Sequence, residues 1–80
     1  MTEKLSATLE DYLGVVLKFQ REKNFALVSD IAKALGVAKS AVTSALQSLS
    51  SKALINYQPY EPVTLTKEGE QQAEEILLRH

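Results

Sequence analysis

The sequence predicts a mainly α-helical fold with one small β-hairpin, and three observations support that prediction. Apolar residues recur at helical spacing in residues 8–24, 29–36 and 39–51. Gly36 stands between the last two of these segments, where a glycine permits the left-handed backbone of a sharp turn. Two short β-type runs, 54–57 and 63–65, flank a loop with two prolines. Three helices, a hairpin and a last helix are the order of a winged helix-turn-helix.

The first helix is predicted to begin at Thr8. This residue would be the N-cap, because Asp11 three positions on can complete a capping box. The helix would end at Lys23-Asn24. Its apolar face is expected to hold Leu9, Tyr12, Leu13 and Val16, with Phe19 or Gln20 at its far end.

The second and third helices form the centre of the pattern. Ser29 is the predicted N-cap of the second helix, and Ile31, Ala32 and Leu35 are its inner residues. The third helix is expected from about Lys39 to Ser51, with an inner stripe of Val42, Ala45, Leu46 and Leu49. Its opposite side is polar and carries mainly small side chains: Lys39, Ser40, Thr43, Ser44, Gln47 and Ser48. Such a surface packs poorly against protein but permits close approach to base edges.

The hairpin and the last helix complete the domain. Two roles are open to Tyr57 and Tyr60, contact with the DNA backbone and packing across the hairpin. Packing is the more frequent role of tyrosines in a short hairpin and is the one expected here. Thr66 is predicted to cap the last helix, and Gly69 in its first turn indicates a close backbone approach to another element. The inner stripe of this helix would be Ala73, Ile76 and Leu77.

Length and composition restrict the function. Eighty residues with 45% hydrophobic and 24% charged side chains predict a single globular domain, residues 1–80. There is no cysteine and no apolar run near the roughly 18 residues of a membrane span, so a cytoplasmic protein is expected. One histidine and no glycine-rich phosphate loop argue against an enzyme. The net charge of −1 argues against strong non-specific binding of nucleic acid.

A family resemblance covers nearly the whole chain. The matching segments are residues 5–13, 28–32 with 35–37, Val42-Thr43 with Leu46 and Leu49, 65–69 with Ala73, and the closing Arg79-His80. They resemble the metal-dependent transcriptional repressors typified by the diphtheria toxin repressor and the manganese-responsive repressors. The resemblance implies a homodimeric repressor that binds a palindromic operator in double-stranded DNA with Fe(II) or Mn(II). It also implies a second domain for dimerisation and metal sensing, which would begin at His80 and is absent from this chain.

The resemblance also assigns metal ligands and shows two departures. Asp11 and His80 match ligand positions of the family, whereas Gly14 stands where manganese sensors often carry an acidic ligand. Two ligands would hold Fe(II) or Mn(II) loosely, so this chain alone is expected to bind little or no metal. The residues themselves leave another interpretation open, in which both side chains only interact with helix dipoles. Ala53 replaces the usual glycine of the family, at a cost on the order of 1 kcal/mol if φ is positive.

The predicted DNA contacts lie on and around the third helix. Lys39 would contact a phosphate or a guanine, while Ala41 would touch a thymine methyl group. The full predicted set is Ser29, Ala38, Lys39, Ser40, Ala41, Thr43, Ser44 and Gln47. The alternative hypothesis is a winged-helix module for protein–protein contact. Salt dependence separates the two hypotheses, because only DNA binding must weaken steeply as salt rises.

Overall fold

The computed structural model describes residues 5–78, which form four helices and a two-stranded antiparallel sheet. The elements are α1 (Ala7–Lys23), α2 (Val28–Leu35), α3 (Lys39–Ser51), β1 (Ile55–Asn56), β2 (Thr64–Leu65) and α4 (Lys67–Leu78). This order confirms the predicted mainly helical winged helix-turn-helix. Within the described residues, every helix is too short or too polar to cross a lipid bilayer.

One hydrophobic core joins all four helices to the hairpin. Leu13, Ile31 and Leu46, one from each of the first three helices, are wholly buried. The described residues include no buried polar or charged residue. The inner stripe predicted for α3 is buried as expected, and α1 adds Leu17 to the predicted set. In α4 the prediction was wrong for Leu77, which is 46% exposed, because the buried positions of this helix are Gly69, Ala73 and Ile76.

The N-terminal ends of α1 and α2 differ from the prediction. Ser6, and not Thr8, caps α1: its backbone is extended, and its Oγ accepts a hydrogen bond from the Leu9 N–H at 3.2 Å. Thr8 therefore lies inside the first turn. Ser29 is likewise inside the first turn of α2, whose N-cap is Leu27 with no side-chain hydrogen bond.

The position of α2 is set by a pairing that the sequence pattern did not reveal. Ala26 forms an isolated antiparallel bridge with Val63, with N–H···O distances of 2.8 and 2.7 Å. This bridge holds the chain extended until Leu27, so the helix begins at Val28. The hairpin itself is shorter than predicted, with two residues in each strand and Ile55 opposite Leu65.

Two glycine expectations are confirmed, and Ala53 has the positive φ on which its expected cost depends. Gly36 ends α2 in the left-handed region with φ of 66°, and Ala53 has φ of 61°. A Cβ atom on Gly69 would overlap the backbone carbonyl of Leu54. Thr66 caps α4 as predicted, since its Oγ1 accepts from the Gly69 N–H at 3.0 Å.

Candidate nucleic-acid interface

The candidate site is built on α2, the turn after it and α3. The Gly36 N–H donates to the carbonyl of Ala32, and Val37 N–H donates to the same oxygen at 3.1 Å. The chain then passes through Ala38 in an extended conformation and enters α3. This short, hydrogen-bonded turn fixes the direction in which α3 leaves α2.

The outer face of α3 is the side of the helix that faces solvent. Val42, Leu46 and Leu49 are wholly buried, and they fix the rotation of the helix about its axis. The exposed residues on the opposite side are Lys39, Ser40, Ala41, Ser44, Gln47 and Ser48. The structure thus brings most of the predicted DNA-binding residues onto one continuous, exposed surface. Ala38 and Ser29 are also exposed, at the turn and in the first turn of α2.

Thr43 and Val37 show what the sequence pattern did not reveal. Thr43 is half-buried, and its hydroxyl donates to the Lys39 carbonyl at 3.0 Å. In this rotamer the Thr43 hydroxyl can accept a hydrogen bond but cannot donate one to a phosphate. Val37 is 39% exposed in the turn and was not predicted as part of the site. Its exposure depends on the geometry of the turn, which the residue pattern does not indicate.

The N-terminus of α3 is open to an anion. Its N-cap residue is Ala38, which has no side chain to bond the first-turn N–H groups, and the first turn holds no acidic residue. The positive end of the helix dipole therefore faces solvent directly beside the Lys39 side chain. Helix termini of this kind favour phosphate groups.

The charge near the site is weakly positive. The cations of residues 28–66 are Lys33, Lys39 and Lys52, against Asp30 and Glu61. The Asp30 carboxylate forms an ion pair with Lys23 Nζ, which also lies 5.4 Å from the Phe19 ring centre and 5.7 Å from that of Phe25. This ion pair reduces the repulsion between Asp30 and a nearby phosphate. The few cations on this surface indicate a small number of phosphate contacts.

The tip of the hairpin carries no cation. Tyr57 is partly buried against the core, but Tyr60 is wholly exposed, so the expected packing across the hairpin is wrong for Tyr60. The physical reason is the turn: the Glu61 N–H donates to the Gln58 carbonyl at 3.1 Å, and Tyr60 takes φ of 66° at its apex. An exposed ring beside the Glu61 carboxylate gives phosphate no electrostatic attraction.

The predicted metal ligands do not form a site within residues 5–78. Asp11 is exposed on α1, Gly14 supplies no ligand, and His80 lies outside the described residues. No three histidine, aspartate or glutamate side chains in the described part of the chain stand close enough together to share an ion. An Fe(II) or Mn(II) site generally needs about five or six ligands, so the described residues do not fit the metal by themselves.

Comparison with known proteins agrees with this geometry. The family described as iron-dependent repressor, N-terminal DNA-binding domain, matches residues 4–63. The HTH-type transcriptional regulator MntR of Bacillus velezensis is 36% identical over 73 residues, which are 91% of this chain and 51% of MntR. The crystal structure of T. acidophilum IdeR superposes with a TM-score of 0.84 at 24% identity, covering 99% of this chain and 36% of IdeR.

A further structural neighbour was solved on DNA. The S. aureus MepR–DNA complex has a TM-score of 0.73 at 26% identity and covers 88% of this chain and 54% of MepR. The chain spans 51–62% of the length of the curated relatives it matches. Fold and sequence thus agree in placing the chain among helix-turn-helix transcriptional regulators.

Proposed function

The chain belongs to the iron-dependent repressor family, and from this membership we propose that it binds double-stranded DNA by placing the outer face of α3 in the major groove. The observation that carries the proposal is the exposed polar face of α3, which begins at an uncapped helix N-terminus. A B-DNA major groove is about 12 Å wide and admits one α-helix with its side chains. The protein is a regulator of transcription and not an enzyme.

We propose separate roles for the residues of the interface. Lys39 and the first-turn N–H groups of α3 would hold a phosphate or a guanine edge, while Ser40 and Ser44 would hydrogen-bond to phosphates or bases. Ala41 would contact a thymine methyl group. The other residues would mainly contact the DNA backbone or accept hydrogen bonds. They are the remaining members of the proposed interface: Ser29, Ala38, Thr43 and Gln47.

The proposal for a longer protein includes a metal and a partner subunit. Residues 1–80 would be the DNA-binding domain, and a following domain would dimerise so that two copies of α3 meet a palindromic operator. Fe(II) or Mn(II) would act by holding domains together, with Asp11 and His80 among its ligands. The DNA contact proposed for α3 needs no metal, because every group in it belongs to the described chain.

A salt-dependent titration of the 80-residue chain against a fluorescent duplex tests the DNA proposal. A single domain should bind in the range of about 10⁻⁴ to 10⁻⁶ M at physiological salt. With about two to four phosphate contacts, log K should fall with log salt at a slope of roughly −2 to −4. Lys39→Ala should weaken binding and reduce the steepness of the slope by about one.

Lys67→Ala is the matched control, because Lys67 is an exposed lysine in the first turn of α4, outside the helix-turn-helix. It should change the affinity less than Lys39→Ala does. Absence of binding at low salt, or binding that salt leaves unchanged, would contradict the DNA proposal. The second of these results would favour a protein–protein contact instead.

A further inference from the structure

Val37 is an exposed apolar residue outside the hydrophobic core. Its side chain is 39% exposed in the turn between α2 and α3, and it belongs neither to the buried cluster nor to the partly buried apolar residues packed against that cluster. The backbone around it is nevertheless fixed, because the Val37 N–H donates to the Ala32 carbonyl at 3.1 Å and Gly36 ends α2 in the left-handed region. The fold therefore holds a branched apolar side chain in one place at the surface without burying it.

Val37 continues the outer face of α3 on its N-terminal side. Ala41 lies in the first turn of α3 and is also exposed, and its N–H donates to the carbonyl of Ala38 at 3.1 Å. The two exposed apolar side chains Val37 and Ala41 are here named the leading pair. Because the N-terminal residues of a recognition helix are the ones that contact base edges, the leading pair lies at the end of α3 that is closest to the bases in the proposed docking.

The outer face of α3 carries few side chains that can identify a base by hydrogen bonds. Two-point recognition of guanine needs an arginine or a lysine, and that of adenine needs an asparagine or a glutamine. Among the exposed residues of α3, only Lys39 and Gln47 are of these types. The Thr43 hydroxyl already donates to the Lys39 carbonyl, and serine hydroxyls bond to several bases alike. Apolar contact is therefore the main remaining way for this face to distinguish one base from another.

We propose that the leading pair reads thymine methyl groups and that Val37 is a specificity-determining residue of the interface. Thymine presents its C5 methyl group in the major groove, whereas cytosine presents an N4 amino donor and no methyl group. An amino group placed against Val37 would lose its water without gaining an acceptor. The inference rests on the proposed docking of α3, and it adds the class of target: duplexes with thymine opposite the turn before α3.

Replacing thymine by deoxyuridine tests this proposal, since the two bases pair alike and differ only in the methyl group. The probes are a duplex selected from a random-sequence library by the 80-residue chain at low salt, and a copy of it with deoxyuridine in place of every thymine. The wild-type chain should bind the thymine duplex more tightly, by roughly fourfold for each methyl group that it buries. The dependence of binding on salt should be the same for both duplexes, because their phosphates are identical.

Val37→Ala removes two methyl groups from the leading pair and should lower the affinity ratio of the two duplexes to about half its wild-type value or less. Leu77→Ala is the matched control, because it truncates an apolar side chain of α4 that is 46% exposed and lies outside the helix-turn-helix. It should leave the ratio unchanged. Circular dichroism of both variants should show the helix content of the wild-type chain, since neither side chain is buried.

The possible results separate this inference from the function on which it rests. Equal affinity of the wild-type chain for the two duplexes would overturn the inference while DNA binding stands. A preference for thymine that Val37→Ala leaves unchanged would overturn it as well, because the methyl groups would then be read by other residues. Failure to bind either duplex at low salt would contradict the proposed function itself, and the inference would fall with it.

Discussion

Ala53 has a φ of 61° where the chain leaves α3 for the hairpin, a conformation that costs an L-residue roughly 1 kcal/mol. The conformation is held in place from both sides. The Ala53 N–H donates to the Ser50 carbonyl at 2.9 Å, and its own carbonyl accepts from Thr66 Oγ1 at 2.8 Å. We therefore expect Ala53→Gly to raise the free energy of unfolding by about 0.5–1 kcal/mol, measured by urea denaturation.

Gly36→Ala is the matched control for Ala53. Gly36 has nearly the same backbone, with φ of 66°, and a Cβ atom there would have no neighbour within 4 Å. The reverse substitution should therefore lower the free energy of unfolding by about 1 kcal/mol, for conformational reasons alone. If Ala53→Gly also destabilised the protein, strain at Ala53 would not be the correct account.

The helical glycines Gly14 and Gly69 should respond in opposite directions to replacement by alanine. A Cβ atom on Gly69 would overlap the Leu54 carbonyl, so Gly69→Ala must separate α4 from the chain before β1 and should cost about 3 kcal/mol or more. Gly14→Ala meets no neighbour and should stabilise α1 by about 1 kcal/mol. Thermal unfolding at low micromolar concentration compares both variants with the wild-type protein.

At the scale of the elements, the inner faces of the helices were predictable and their first residues were not. The spacing of Val42, Ala45, Leu46 and Leu49 is a local property that survives folding. The start of α2 depends instead on the bridge between Ala26 and Val63, which joins residues 37 positions apart in the chain. Single-residue patterns carry no information about such a pairing, so Ser29 resembled a cap that the folded chain does not use.

The N-terminus of α1 provides a direct test of the revised capping. Ser6→Ala removes the hydrogen bond to the Leu9 N–H and should lower the free energy of unfolding by about 1 kcal/mol. Thr8→Ala, two residues on, removes an exposed side chain from the first turn and should change stability by less than about 0.5 kcal/mol. Denaturant titrations that ranked the two variants in the reverse order would restore Thr8 as the cap.

The candidate site, like the helices, could be predicted only in part from the sequence. Helical periodicity alone places Lys39, Ser40, Ser44 and Gln47 on one side of α3, so the exposed face was predictable. The hydrogen bond that occupies the Thr43 hydroxyl was not, because a rotamer choice leaves no trace in the residue pattern. The position of His80 relative to Asp11 stays a prediction, since His80 lies outside the described residues.

At the scale of the whole molecule, two separate surfaces share one small core. The outer face of α3 is polar and weakly cationic, whereas a groove between α1 and α4 is apolar with a charged rim. Within residues 5–78 this groove is lined by α1 and α4 only, so it does not include the side chains proposed to contact DNA. We expect Lys39→Ala to weaken DNA binding more than Lys18→Ala, which removes the same charge from α1.

Chemical-shift mapping can locate the DNA-binding surface, which we place on the outer face of α3. A ¹⁵N-labelled chain would be titrated at low salt with an unlabelled duplex of mixed sequence. We expect the largest amide shifts in residues 36–47, above all at Lys39 and Ser40, with smaller shifts at Ser29. Shifts centred on residues 10–22 and 76–77, or no shifts at all, would contradict it.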